Sequence, residues 1–196
     1  WSQQVKLTAP EIGQGYFGTS VDIDDPYAIV GASHDDENGP YSGSAYIYMR
    51  DGETWLEQTK VYGKQDVGAY DYFGESVAIS GDFAAVGATG LTSQGTGNGY
   101  VHIFERDGTN WNYAQELSGN AGFGKDYFGK SIAMEGDDLI VGAQHTAVDG
   151  IGSAGSAYIF TRSGGSNSLS LQQKLILSDA DTSDVFGWAA SIKGDM

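Results

Sequence analysis

The sequence predicts an all-β protein built from propeller blades, and three observations support this prediction. A Phe-Gly phrase returns at Phe17, Phe73, Phe128 and Phe186, so successive copies are 56, 55 and 58 residues apart. A Val-Gly-Ala phrase follows each of the first three copies, and each of these units divides into four short apolar runs. A repeat of this length is one supersecondary unit that buries its apolar face by stacking on its neighbours.

The four runs of each unit have the length and composition of β-strands. Runs one and two are built from small residues, whereas run four opens at Trp55 or Trp111 in the first two units. Because blades crowd towards a central axis and splay apart at the rim, this gradient of size favours a propeller over a stacked solenoid. The runs span 20–23, 28–32, 44–48 and 55–61; 76–79, 84–88, 100–104 and 111–117; and 131–134, 139–143, 156–160 and 169–175.

The two ends of the chain match incomplete units. Residues 1–7 match a fourth strand and residues 185–196 match a first strand, whereas the whole repeats span approximately 16–62, 72–118 and 127–177. We therefore expect one propeller domain over residues 1–196, partial or shared, with three whole blades, a stray N-terminal fourth strand and a stray C-terminal first strand. Because this arrangement leaves open edges, we expect either a longer parent protein or copies that pair edge to edge.

Charge and composition exclude several classes of function. The chain carries 26 acidic and 10 basic side chains, a net charge of −16, so we expect no nucleic-acid partner. It contains no cysteine, which excludes disulfide scaffolds and thiolate metal sites. No apolar run approaches the roughly 18 residues that a spanning helix needs, so we expect no membrane insertion.

The order of the phrases resembles that of the FG-GAP repeat family. Phe-Gly and Val-Gly-Ala are followed by Gly-Ser-Ala-Tyr-Ile-Tyr at 43–48 and by Trp-x-x-Gln at 55–58. Integrin α-subunit head propellers and many bacterial and algal surface proteins carry this repeat. The resemblance implies a β-propeller, usually seven-bladed, that is extracellular or at the cell surface and works in adhesion or ligand binding. The chain departs from the integrin pattern at Ser33, Thr89 and Gln144, where integrins favour proline.

A second departure concerns calcium. Integrin-type repeats often hold Ca²⁺ in an Asp-rich loop between strands one and two. The corresponding connections here, at 24–27, 81–83 and 136–138, are too short to wrap a cation that needs six to eight oxygen ligands. We therefore do not expect integrin-style calcium at those places.

The long connections are the candidate binding surface. If strands alternate in direction, the connections at 33–41, 89–98 and 144–154 open on the same face as those at 8–15, 62–71, 118–126 and 178–184. Binding residues concentrate on loops held by a rigid scaffold, and in the resembled family this is the ligand-binding face. The candidate ligand residues are His34, Tyr41, Tyr70, Asp71, Asp126 and His145.

Two acidic groups are candidate Ca²⁺ sites. The first lies in the loop after strand two and the second near the C terminus; each has a plainer interpretation, as a solvated acidic loop or as turn caps. Asp71 and Asp126 have the same two interpretations, and His34 with His145 falls short of the ligands that zinc requires. The candidate ligands are Asp35, Asp36, Glu37 and Asn38 in the first group and Asp179, Asp181 and Asp184 in the second.

The sequence leaves three functions open. The first is a non-enzymatic extracellular binding or adhesion propeller whose loops meet a protein or a glycan. The second is a structural subunit that joins copies into a ring or filament through its open edge strands. The third is a polysaccharide-active enzyme or its accessory domain, although no catalytic motif is present and no catalytic residue is assigned. Tyr16, Tyr72 and Tyr127, together with Trp55 and Trp111, are predicted to pack between blades, and stacking on a sugar or other ligand is the alternative.

Overall fold

The structure, a computed structural model, describes residues 5–9, 15–63, 69–90, 97–119, 126–163 and 167–194. Residues 1–4 and 195–196 of the predicted partial repeats, and 10–14, 64–68, 91–96 and 120–125 of the predicted long connections, lie outside the described residues. The described segments contain twelve β-strands and no helix, which confirms the all-β prediction.

The strands form three sheets of four antiparallel strands in sequence order, which we call blades 1, 2 and 3. Every predicted run corresponds to one strand. The three sheets do not close into a ring. Blade 1 contains β1 (Phe17–Asp24), β2 (Tyr27–Ala32), β3 (Ser44–Asp51) and β4 (Thr54–Val61); blade 2 contains β5 (Phe73–Ser80), β6 (Phe83–Ala88), β7 (Tyr100–Asp107) and β8 (Asn110–Leu117); blade 3 contains β9 (Phe128–Glu135), β10 (Asp138–Ala143), β11 (Ser156–Arg162) and β12 (Leu169–Leu175).

The two repeated phrases hold successive blades together. The carbonyl oxygen of Gly74, in the Phe-Gly phrase of blade 2, accepts a hydrogen bond of 2.9 Å from the Ser20 hydroxyl of blade 1. The same bond joins Ser76 to Gly129 (2.5 Å) and Ser131 to Gly187 (2.9 Å). The second, third and fourth Phe-Gly phrases are thus the contacts through which blade 2, blade 3 and the C-terminal segment dock on the blade before them.

The glycine of each Val-Gly-Ala phrase makes this docking possible. A Cβ atom on Gly31 would lie 2.0 Å from the Gly74 oxygen, and one on Gly87 would lie 2.3 Å from the Gly129 oxygen. Because neither oxygen has room to retreat inside a packed backbone, a side chain at these positions is excluded. The close approach confirms the predicted taper, in which small residues lie where blades are nearest.

The predicted packing of the bulky residues is confirmed in part. Trp111 is buried and meets Tyr27 of blade 1 edge to face at 5.6 Å, so it packs between blades as expected. The repeated tyrosines differ: Tyr72 of blade 2 packs on His34 and Tyr41 of blade 1 as expected, whereas Tyr16 and Tyr127 contact His34 and His145 of their own blades. Tyr16 is exposed, and the buried aromatic residues of the phrase are Phe73 and Phe128. All three tyrosines have φ near 55°.

The connections between the first two strands of each blade are two-residue turns, as predicted, and their acids have other partners. Asp25 pairs with Arg50 at 2.5 Å, and Asp137 pairs with Arg162 at 3.2 Å. Asp82 and Arg106 form the equivalent pair in blade 2. The calcium loop of integrin-type repeats therefore does not fit here, because the turns are short and their carboxylates bind arginine.

The two flanking segments, predicted as a fourth and a first strand, do not form strands within the described residues. Phe186 bridges Gly155 as Phe73 bridges Gly43, so the C-terminal phrase occupies the place of a following blade. Residues 187–194 nevertheless form no ladder, and neither do residues 5–9. Within the described residues neither segment lies beside a second or third strand of its own unit, so their backbone groups have no strand to pair with.

Blade 1 exposes part of the sheet face that, in blades 2 and 3, packs on the preceding blade: its β1 residues are open, whereas Val30 and Tyr46 on the same face are buried. Val21 is 69% exposed and Ile23 is 63% exposed, whereas the equivalent Val77 and Ile79 of blade 2 are 6% and 2% exposed. Leu7 packs against part of this face. We call it the free face of blade 1.

Candidate functional site

The loops between blades 1 and 2 meet at one end of the strands, which confirms that the second and fourth connections share a face. The backbone amides of Tyr70 and Tyr72 donate hydrogen bonds to the carbonyls of Pro40 (2.7 Å) and Tyr41 (3.0 Å). These two hydrogen bonds hold the loop after β2 and the loop before β5 side by side.

This junction gathers four tyrosines around His34. The His34 ring lies edge to face with Tyr16, Tyr41 and Tyr72 at centroid distances of 4.2, 5.0 and 5.2 Å. Tyr41 also stacks on Tyr72 at 5.9 Å, and Tyr70 lies 5.5 Å from Tyr41. We call these five residues the aromatic cluster. Its edge-to-face contacts are the geometry that ring quadrupoles prefer, so the cluster is preorganised.

Four members of the cluster line an open depression of about 460 Å³ together with Gly15 and Asp36: Tyr16, His34, Tyr41 and Tyr72. Tyr70 lies beside the depression, against Tyr41. This volume lies in the range of small-ligand sites, roughly 300–1,000 Å³. Asp36 accepts a 2.7 Å hydrogen bond from the Tyr41 amide through Oδ1, and His34 Nδ1 lies 3.0 Å from the Ser33 hydroxyl. Among the described lining residues there is no lysine or arginine.

Tyr72 presents an uncharged hydroxyl group at neutral pH. Burial raises the pKa of Tyr72 above its ordinary value, and the neighbouring Tyr41 and Glu75 raise it further. A phenol with a raised pKa keeps its proton and donates hydrogen bonds. The depression therefore combines ring surface with neutral donors and one carboxylate.

Asp35, predicted as a calcium ligand, forms part of a buried ion pair instead. It is 2% exposed, and its Oδ2 lies 2.7 Å from Lys60 Nζ and accepts a 2.5 Å hydrogen bond from the Ser44 hydroxyl. Oδ1 accepts a 3.0 Å bond from the Glu37 amide. Glu37 also pairs with Lys60 and accepts a 2.8 Å bond from the Tyr62 hydroxyl.

The charges of this pair stabilise each other. Burial opposes ionisation of Asp35, but hydrogen bonds from Lys60, Ser44 and the Glu37 amide outweigh it and lower the pKa of Asp35. Burial likewise opposes the charge on Lys60, but its bonds to Asp35 and Glu37 raise the pKa of Lys60 well above its usual range. The pair is therefore charged across the neutral range, and its role at this place is structural.

Calcium binding by the acidic loop stays a prediction that the geometry does not favour. Three of the four proposed ligands already accept bonds within the protein, and Asn38 is exposed. Among the described residues, no group of three or more His, Cys, Asp or Glu side chains is placed to hold a metal ion.

The second acidic group is organised as a turn. The Asp181 amide donates to Asp184 Oδ2 at 2.6 Å, and the Asp184 amide donates to the Asp181 carbonyl at 3.3 Å. Asp179 is exposed nearby. These contacts match the turn-capping alternative for Asp179, Asp181 and Asp184.

The remaining predicted ligand residues belong to other parts of the loop face. His145 follows β10 and contacts Tyr127 at 4.8 Å, and its amide bonds to the Asp126 carbonyl at 3.2 Å. Asp126 is buried rather than presented to solvent. The Asp71 carbonyl accepts from the Gly90 amide at 2.9 Å in the equivalent place of blade 2. The structure thus brings together His34, Tyr41 and Tyr70, and separates His145 from them.

Sequence reasoning missed two members of the cluster and the cation of the buried pair. Tyr16 and Tyr72 were expected between blades because they recur, and Lys60 carried no motif at all. A comparison of equivalent positions in the three blades would have signalled the ion pair, but not the two tyrosines, which recur as Tyr127. Lys60 is replaced by Glu116 in blade 2, and Asp35 by Thr146 in blade 3, so these two charges occur together in one blade.

Comparison with known proteins places this architecture in a class. Three antiparallel four-stranded blades with a loop face define a propeller-type repeat protein. The chain matches the FG-GAP repeat over residues 1–48, 55–104 and 111–160, and it belongs to the FG-GAP repeat family. The fold and the family together indicate a binding or structural repeat domain.

A solved structure supports the fold alone. The chain is similar to Saccharomyces cerevisiae Sqt1, with 12% sequence identity and a TM-score of 0.52. The similarity covers 86% of this chain and 38% of Sqt1. Comparison with curated protein sequences gave no match. Within the described residues, no helix has the length and apolarity needed to cross a bilayer.

Proposed function

We propose that this chain is a non-enzymatic binding propeller of the extracellular space or cell surface, whose loop face engages a protein or a glycan in adhesion. The observation that carries the proposal is the aromatic cluster, because exposed tyrosines on a rigid backbone offer large contact area at little entropic cost. The extracellular assignment follows the FG-GAP family, whose repeats are typical of extracellular proteins.

The net charge of the chain limits the classes of partner that its surface can bind. With a net charge of −16, the surface repels polyanions at long range, which disfavours nucleic acids and strongly anionic glycans. Neutral glycans and neutral or basic protein surfaces remain compatible with this charge.

The proposal is tested by blocking one end of the blades at a time. Because the chain has no cysteine, Asn38→Cys on the loop face and Glu53→Cys in the turn between β3 and β4 each provide a single attachment point for a bulky polyethylene glycol maleimide. Both residues are exposed, and they lie at opposite ends of the strands.

Beads that carry each conjugate are then applied to immobilised extracellular proteins and polysaccharides. We expect the group at position 38 to abolish the adhesion shown by unmodified protein, and the group at position 53 to leave it unchanged. Adhesion that survives both modifications, or that is lost equally with both, would contradict a loop-face binding site.

A second candidate function is assembly with further copies. The observation that favours it is the free face of blade 1, which leaves Val21 and Ile23 exposed where blade 2 buries their equivalents. Two adjacent apolar side chains left open on a strand face, where the repeat elsewhere buries them, are a place for a further copy to pack. This candidate site on a sheet face differs from the sequence prediction, which expects assembly through the open edge strands.

A further inference from the structure

The backbone of the blade 1–2 junction is repeated where blade 3 meets the C-terminal phrase. There the amides of Ser183 and Val185 donate to the carbonyls of Gly152 (3.4 Å) and Ser153 (3.1 Å), as Tyr70 and Tyr72 do to Pro40 and Tyr41. The dihedral angles repeat as well, with φ of 54° at Tyr41 against 55° at Ser153, and 71° at Tyr70 against 72° at Ser183.

The rings are not repeated, although the backbone is. Ser153, Ser183 and Val185 hold this geometry without aromatic side chains, so the scaffold does not require Tyr41, Tyr70 or Tyr72. Positive φ is rare for non-glycine residues, and bulky side chains tolerate it less well than serine. Tyrosine at positions 41 and 70 therefore serves something other than the fold, whereas the tyrosine before Phe-Gly recurs as Tyr16, Tyr72 and Tyr127.

The shape and chemistry of the cluster indicate the ligand. Tyr16, Tyr41 and Tyr70 are each at least 40% exposed, so ring surface is open to solvent around the depression. Asp36 and the tyrosine hydroxyls add acceptors and donors beside those rings. A flat ring surface edged by hydrogen-bonding groups matches a pyranose, which has an apolar C–H face and a rim of hydroxyls.

A cationic ligand fits less well. An ammonium group would lie at the centre of the aromatic cluster, between the tyrosine rings. The His34 imidazole already occupies this place, since it contacts three of those rings. An anionic ligand is opposed by Asp36 and by the net charge of −16.

We propose that the depression at the blade 1–2 junction is a binding site for a neutral glycan, with Tyr41 of its lining as the stacking residue. Tyr70, whose ring lies 5.5 Å from that of Tyr41, extends the stacking surface beside the depression. The inference rests on the proposed binding function and adds its ligand class and residues. Polyhydroxylated neutral chains satisfy both the ring surfaces and the polar rim without an opposing charge.

The structure supplies its own test variants. Tyr41→Ser and Tyr70→Ser place at each position the residue that blade 3 carries in the same backbone conformation, so both variants are expected to fold. Tyr113→Ser is the matched control, because Tyr113 is 40% exposed on β8, away from the depression. Circular dichroism and thermal unfolding verify that all three are folded.

Wild-type protein is first applied to an array of neutral, sialylated and sulfated glycans, and the strongest neutral ligand is then titrated calorimetrically. We expect saturable binding to a neutral glycan, weakened about tenfold or more in Tyr41→Ser and Tyr70→Ser and unchanged in Tyr113→Ser, the loss typical of an aromatic anchor. Saturation-transfer NMR is expected to show transfer from tyrosine rings to sugar C–H protons.

Three outcomes overturn the inference. They are the absence of neutral-glycan binding by folded protein, binding that both serine variants retain, and binding of a lysine-rich peptide with no glycan bound. The last outcome leaves the proposed binding function intact. With a protein as the ligand, unmodified protein would still adhere in the bead assay, and the group at position 38 would still block that adhesion.

Discussion

At the scale of single residues, the buried pair of Asp35 and Lys60 shows how one blade departs from its repeats. In blade 3 the place of Asp35 is taken by Thr146, whose hydroxyl accepts a 2.9 Å hydrogen bond from Ser156 as Asp35 accepts one from Ser44. The neutral pair of Thr146 and Ser156 thus makes the same hydrogen bond in the same loop. Blade 1 therefore carries a charged version of a polar contact that the scaffold makes in either form.

Replacement of Asp35 by Asn is expected to lower the free energy of unfolding at pH 7 by about 2–4 kcal/mol, because Lys60 loses a buried partner. The loss falls at the lower end of that range if Glu37 compensates. Asp36→Asn is the control, since Asp36 is exposed and Asn retains the Oδ1 that accepts the Tyr41 amide; its effect is expected to stay within about 0.5 kcal/mol. Urea unfolding measures both.

The same variant gives the pH dependence its sign. Because folding lowers the pKa of Asp35, its contribution is present above the unfolded value, about 3.9, and is lost as the pH falls through the folded pKa. The difference between wild type and Asp35→Asn is therefore expected to be constant from pH 7 to about 5 and to shrink below about pH 4. A difference that persists unchanged to pH 2 would show that Asp35 does not act through its charge.

At the scale of elements, the two repeated phrases form one device that spans two blades. The glycine of Val-Gly-Ala leaves room for the Phe-Gly carbonyl of the next blade, and a serine in the first strand binds that carbonyl. The Phe-Gly amide completes the contact, as in the 2.9 Å bond from Phe128 to the Asn98 carbonyl. The motif is conserved along the chain because each copy serves its neighbour.

Substitution of Gly87 by Ala tests this device. The added Cβ would lie 2.3 Å from the Gly129 oxygen, so blades 2 and 3 must separate, and we expect a loss of about 1–3 kcal/mol or more in unfolding free energy. Gly152→Ala is the matched control: no atom lies within 4 Å of its Cβ position and its φ is not positive, so its effect is expected to stay within about 0.5 kcal/mol. Equal losses in the two variants would contradict the docking role of Gly87.

The features that recur in each unit could be predicted from the sequence, and the contacts found at a single place could not. The strands, the two-residue turns and the shared loop face follow from periodicity, glycine placement and alternation of direction, which act locally and recur in each unit. The aromatic cluster does not, because Tyr16 and Tyr41 come from different connections and meet only after the loops pair. Asp35 was similarly assigned by composition to calcium, since its partner Lys60 lies 25 residues further along on β4.

At the scale of the whole molecule, features that recur in every repeat belong to the scaffold, and features that occur once are the candidates for function. The Phe-Gly contacts recur at every junction, whereas the aromatic cluster occurs at one junction of the described structure and the exposed apolar face occurs on one blade. The loop face and the free face of blade 1 belong to different surfaces. The proposed binding and the proposed assembly can therefore be tested independently of each other.

Assembly through the free face of blade 1 predicts self-association that depends on Val21 and Ile23. Static light scattering over a concentration series is expected to give an apparent mass that rises above that of the monomer. The double variant Val21→Lys and Ile23→Lys is expected to remain monomeric, because lysines on an exposed strand oppose association. Leu171→Lys, on β12 and 44% exposed, provides a control for added positive charge and is expected to associate like wild type. Monomeric wild-type protein at every concentration would exclude assembly through this face and leave the binding role of the loop face unaffected.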